Sequence, residues 1–234
     1  MTARPYGVIA ALAVLTGLVI GLRTSRRRNV SVSNMFTAFV IIMATALVTD
    51  RLGEWLLSPR HLLPNVVEEG GWSGVGFPIT LAVTAAWAKL SGVSTLGITD
   101  IISVAAMPSI AIGRIGCWFG GCCGGVPIQN TALRHSVVEV IGPTGESHPV
   151  ALYNSILFLA ATPVIWLLFR RASLGLATVA FVVWLGLTRL LVSGLRVEFS
   201  DGSLGLNIDQ WIGAFVLIAG LVLWWKIRRD RVFS

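Results

Sequence analysis

Long apolar runs broken by short polar connectors set the pattern of this chain. They fall at roughly 5–22, 35–56, 75–89, 100–119, 150–169, 174–195 and 208–226. A helix crossing the hydrocarbon layer needs about 20 predominantly apolar residues, and most of these runs meet that length. The pattern predicts an all-α, polytopic integral membrane helix bundle of about seven transmembrane helices. The third run is the shortest and is flanked by Gly and Pro. The first shows no Ala-x-Ala cleavage pattern and is expected to be retained as a span.

Composition agrees: 55% of residues are hydrophobic, 12% are charged, and mean hydropathy is +0.80. At 234 residues, with no composition shift and no internal repeat, residues 1–234 are expected to form a single transmembrane domain. Seven spans put the termini on opposite sides, so alternate loops can be compared for basic residues. Arg23, Arg26, Arg27, Arg28, Lys89, Arg170, Arg171, Lys226, Arg228, Arg229 and Arg231 fall on one side. Arg4, Arg51, Arg60, Arg134 and Arg196 fall on the other, with the acids Asp50, Glu54, Glu68, Glu69, Glu139, Glu146, Glu198, Asp201 and Asp209. The basic side is expected to be cytoplasmic, which places the N-terminus outside. The net charge of +7 then sits next to the membrane and points to anionic lipid, not to nucleic acid.

Two cations break the apolar pattern. Arg114 lies in the stretch 107–121 and Arg189 in 181–192, and neither stretch holds an acid. A guanidinium at membrane depth costs about 2.5 kcal/mol or more and cannot shed its proton. It needs a carboxylate from elsewhere, backbone carbonyls or an anionic ligand. Its planar fork matches phosphate oxygens, and a phospholipid headgroup is the nearest anion.

Arg114 sits in the densest segment, Gly113-Arg-Ile-Gly-Cys-Trp-Phe-Gly-Gly-Cys-Cys-Gly-Gly125. Such glycines allow close helix packing and let backbone amides approach a ligand. Cys117, Cys122 and Cys123 all lie here, in a C-x4-C-C spacing unlike zinc or iron–sulfur patterns. They read as small buried side chains at a helix contact, with a redox pair as the alternative; no metal site or cofactor is implied. A loop of about 25 residues follows, a length uncommon unless functional. His148-Pro-Val-Ala-Leu-Tyr153 then opens the fifth span, with Pro149 suited to a first helical turn and Tyr153 one turn beyond His148. His61 and His135 read as solvated. Arg189, Ser193 and Arg196 share a helix face, and Glu198, Asp201 and Asp209 follow closely enough to pair with either arginine.

Over about residues 66–215 the chain resembles the prolipoprotein diacylglyceryl transferase family. The family's Gly-Arg-x-Gly-Asn-Phe-x-Asn-Gly-Glu signature is matched from Gly113 to Cys122, its His-Pro-x-x-Leu-Tyr element at His148–Tyr153, and its later arginines at Arg189 and Arg196. Its Glu-Gly-Gly-x-x-x-His segment corresponds to Glu69–Val75. The departures include Val75 for the histidine, Cys117 for the first asparagine, and Cys122 and Ser193 for glutamates. The resemblance implies transfer of a diacylglyceryl group from phosphatidylglycerol to a lipobox cysteine of a prolipoprotein, at the outer face of a bacterial plasma membrane. It assigns Arg114, Arg189 and His148 to catalysis, and Arg114, Arg189, Arg196, Tyr153, Gly125 and Glu69 to substrate binding. The lost polar positions leave an alternative: a divergent member that binds anionic phospholipid or uses another acceptor.

Overall fold

A computed structural model of the chain describes residues 4–57, 76–121, 125–129, 147–195 and 208–232. They form seven α-helices: α1 (Arg4–Ser25), α2 (Val32–Leu57), α3 (Gly76–Leu90), α4 (Thr95–Gly120), α5 (Val150–Arg171), α6 (Leu176–Val192) and α7 (Ile208–Val232). Six contain segments long and apolar enough to cross a membrane, which makes this a multi-pass membrane protein. The third predicted run gives α3, whose apolar part, Ile79–Leu90, is shorter. Fifteen residues extend about 22 Å, less than a full hydrocarbon layer, and α3 packs beside α2 with Gly76 at Thr49.

Helix α4 is the centre of the bundle. It packs against α1, α3, α5 and α6, and most of its length is buried, whereas little of α1, α2 and α7 is. Ile98, Ile101 and Met107 of α4 are fully buried, with Phe181 of α6 in the same core. The outward surfaces are apolar: Leu12 and Leu15 on α1, Phe36 and Val40 on α2, Ile156 on α5, and Phe215 and Ile218 on α7. Solvating these side chains in lipid removes the penalty they would meet in water.

The helices share two ends. The basic end gathers the α1–α2 turn, the start of α4, the α5–α6 turn and the C-terminal part of α7. There Arg228 and Arg229 lie over the rings of Trp224 and Trp225, at 5.5 and 4.9 Å from the ring centres. Such cation–aromatic pairs suit a membrane–water interface.

An ion pair pins the basic end. Asp100, fully buried on α4, lies 3.1 Å from Nη2 of Arg28, the last residue of a 3-10 turn (Arg26–Arg28) after α1. The same carboxylate accepts hydrogen bonds from the backbone N–H groups of Gly175 and Thr178 and from the Thr178 hydroxyl. Helix α6 starts on Gly175, which has no side chain to cap it, so α4 supplies the cap from outside. Arg28 also donates to the Phe169 carbonyl and stacks 4.5 Å above that residue's ring. One acid thus ties the α1–α2 turn to α4, α5 and α6.

This acid amends the sequence reading. The stretch around Arg114 holds no acid, but its helix does: Asp100, at the opposite end and matched by Arg28.

Candidate functional site

At the end of the bundle away from the basic residues, three separated segments are stitched together by backbone bonds. The Val126 N–H donates to the Leu195 carbonyl, 2.8 Å, and the His148 N–H donates to the Val126 carbonyl, 3.0 Å. Pro127 and Ser147 form an antiparallel bridge beside them. The continuation of the glycine-rich segment, the start of α5 and the end of α6 therefore meet at one place. Gly125 is required there, because a Cβ on it would run into the His148 carbonyl.

Arg114 reaches this region from α4. It shares a helix face with Ser103, Met107 and Ile110, spaced at three and four residues. Ser103 and Met107 are fully buried, so this face looks into the bundle. The glycines on another face of the same helix pack against α1: Gly116 lies against Ile9 and Tyr6, and Gly120 against Tyr6. The close packing expected of the glycines is thus present on one face, and Arg114 lies on another. Cys117 is buried in α4, as a small packing residue would be. Gly121, with φ of 70°, ends the helix by donating to the carbonyls of Cys117 and Trp118.

Depth follows from the ion pair at the basic end. Asp100 is bonded to Gly175 and Thr178, which sets α4 and α6 level at that point. Arg114 lies fourteen residues further along α4, and Arg189 eleven beyond Thr178 on α6. At 1.5 Å per residue both stand about 17–21 Å from the ion pair, at similar depth.

Arg189 is held from α7. Its Nη1 donates to Asp209, and the Ser193 hydroxyl donates to the other oxygen of that carboxylate. Gln210 donates to the Leu190 carbonyl beside them, 3.2 Å. The pairing follows from a close helix crossing. A Cβ on Gly186 would lie 2.7 Å from the Leu217 nitrogen, and one on Gly213 would lie 2.8 Å from the Arg189 Cβ. Larger residues would separate α6 from α7 and carry Asp209 away. Of the three acids expected near the arginines, Asp209 lies at Arg189, and Glu198 and Asp201 lie outside the described residues. Ser193, where the resemblance expects glutamate, is bridged to an acid from α7, so a carboxylate is present at that point after all.

His148 lies just before α5, with Nδ1 3.3 Å from the Tyr153 hydroxyl and the two rings edge to face at 6.0 Å. Which of the two donates depends on the imidazole tautomer. Arg114, Gly125, His148, Tyr153 and Arg189 therefore gather at one end of the bundle. Glu69, Val75, Cys122, Cys123, Arg134, His135 and Arg196 lie outside the described residues. Sequence reasoning offered Asp209 as one acid among three, and it missed the Val126–His148 strap, which has no periodicity to reveal it.

A family model described as prolipoprotein diacylglyceryl transferase matches residues 1–226. Relatives named phosphatidylglycerol–prolipoprotein diacylglyceryl transferase are similar over most of the chain. The protein of Clostridium tetani is 25% identical, covering 92% of this chain and 90% of its own length. That of Geobacillus kaustophilus is 26% identical, over 94% and 86%. That of Halalkalibacterium halodurans is 27% identical, over 95% and 82%.

Proposed function

The chain belongs to the prolipoprotein diacylglyceryl transferase family, and on that premise we propose that it transfers a diacylglyceryl group from phosphatidylglycerol to the cysteine thiol of a prolipoprotein. The observation that carries this reading is the convergence of the three matched segments. Arg114, His148 with Tyr153, and Arg189 lie toward the same end of the bundle, the end away from the basic residues.

The chemistry assigns each residue a task. The thiol sulfur attacks the glyceryl carbon that bears the phosphate oxygen. The carbon–sulfur bond forms, the carbon–oxygen bond breaks, and glycerol phosphate leaves. Charge grows on the departing phosphate, so a preset cation lowers the barrier. Arg114 takes that role. Arg189 is its partner, oriented by Asp209, and that ion pair also gives Arg189 a structural share. The thiol proton goes to a base. With Nδ1–H donating to the Tyr153 oxygen, Nε2 of His148 keeps its lone pair and can accept it. Gly125 holds the His148 backbone in place, and Glu69 and Arg196 belong to the substrate-binding set by their motif positions.

The bilayer is the bacterial plasma membrane, with the site end outside and the basic end in the cytoplasm. The contrast between basic residues at one end and acids at the other supports this orientation. The test is direct. Purified protein in detergent, given phosphatidylglycerol labelled in its headgroup glycerol and a lipobox peptide, should release labelled glycerol phosphate and form a thioether on the peptide cysteine. Binding of phosphatidylglycerol without release of glycerol phosphate would favour a lipid-binding family member instead.

A further inference from the structure

On the lipid-facing side of the bundle a groove of about 340 Å³ runs between α1, α4 and α5. Its walls are Ile20, Val104, Pro108, Leu159, Pro163 and Trp166. Two of these are prolines inside helices, and each has the residue four positions earlier, Val104 or Leu159, in the same wall. Proline cannot donate to the carbonyl at i−4, and its ring presses against it, so the regular wall of both helices is interrupted at the same place. The hydroxyl of Thr162, also in the wall, is turned away to the Phe158 carbonyl, which leaves the groove apolar.

The groove leads to the basic end. Arg23 lies one turn beyond Ile20, and Arg170 one turn beyond Trp166. Both arginines are exposed, and among the described residues neither has an acid within ion-pair distance. Asp100, the buried acid at this end, is taken by Arg28. Around α4, Pro108 points about 120° away from Arg114, so the groove does not open into the transfer site.

We propose that this groove is a second lipid site, holding one acyl chain of an anionic phospholipid whose net negative headgroup rests on Arg23 and Arg170. An apolar channel ending under two exposed cations complements a lipid with a negative headgroup. A zwitterionic lipid would fill the channel equally well but gain little from the arginines. The site sits in the leaflet opposite the transfer chemistry, and its occupant is a bound companion of the bundle, not the diacylglyceryl donor.

Trp166 serves as a reporter. The protein is placed in nanodiscs containing acyl-brominated phosphatidylserine or acyl-brominated phosphatidylcholine. The Trp166 signal is taken as the difference between the parent and Trp166→Phe, which removes the other tryptophans. Bromine quenches an indole it touches. At about one kcal/mol of attraction per basic residue, equal quenching should need about fivefold less phosphatidylserine for each engaged arginine. Arg23→Gln/Arg170→Gln should abolish that preference, and Val104→Phe, which fills the groove, should lower quenching by phosphatidylserine. Equal quenching by the two lipids, or a preference that survives loss of both arginines, would show ordinary bilayer contact and overturn the proposal. No readout depends on transferase activity, so the result stands apart from the test of function.

Discussion

Replacing Asp100 by alanine should be among the most damaging single changes in the chain, and its cost should exceed that of removing its partner. The carboxylate meets Arg28 and also accepts from the N–H groups of Gly175 and Thr178 and the Thr178 hydroxyl. Asp100→Ala therefore leaves a guanidinium without its carboxylate and the start of α6 without its cap. Breaking a buried pair from one side costs about 3–5 kcal/mol. Arg28→Met leaves the aspartate with three hydrogen bonds and a helix N-terminus to stabilise it, so its cost should be lower, about 1–3 kcal/mol. The double variant should cost less than the sum of the two, because the stranded guanidinium is gone; the coupling should be about 1–3 kcal/mol. Unfolding by SDS titration in mixed micelles, followed by circular dichroism, measures all three variants. The reasoning fails if Arg28→Met costs as much as Asp100→Ala, or if the two costs simply add.

Three further outcomes are expected. Gly125→Val should fold but lose at least about tenfold in glycerol phosphate release, since its side chain collides with the His148 carbonyl and shifts the His148–Tyr153 pair; full activity in the folded variant would refute the positioning role. Replacing Cys117, Cys122 and Cys123 together by alanine should leave turnover within about tenfold of the parent, a smaller loss than deleting a nucleophile brings, and complete loss in a folded variant would point to thiol chemistry. A cytoplasm-only fluorescent reporter fused after Ser234 should be bright, and a dark fusion that is expressed and inserted would contradict the proposed orientation.

Sequence and structure agree where a strong local pattern carries the information. The apolar runs place the seven described helices, and Arg114 stands on α4 in line with the buried Ser103 and Met107. Arg189 with Ser193 and Asp209 was legible in outline, because residues four apart on one helix share a face. The pairing of Arg189 with Asp209 depends on the Gly186–Gly213 crossing, a contact between distant segments. The Asp100–Arg28 pair was missed for a physical reason. Arg28 stands in a run of basic residues that reads as charge solvated at a membrane surface, and Asp100 stands near a helix start, where an acid needs no partner. An acid within an apolar helix is the same anomaly as Arg114, and treating it so would have exposed the pair. The strap from Val126 to His148 and Leu195 depends on backbone bonds between segments some twenty and seventy residues apart, and side-chain periodicity carries no trace of such bonds.

The central claim is that Arg114 receives the phosphate of the lipid donor. It is tested by measuring phosphatidylglycerol binding and glycerol phosphate release in folded, detergent-solubilised Arg114→Ala and Arg114→Lys. Alanine should remove about 2–4 kcal/mol of binding or transition-state stabilisation, on the scale of losing one charge-stabilising donor. Lysine keeps the charge but loses the planar fork, and should be severely impaired as well. A normally folded Arg114→Ala that binds and turns over phosphatidylglycerol like the parent would make the arginine structural and contradict the account.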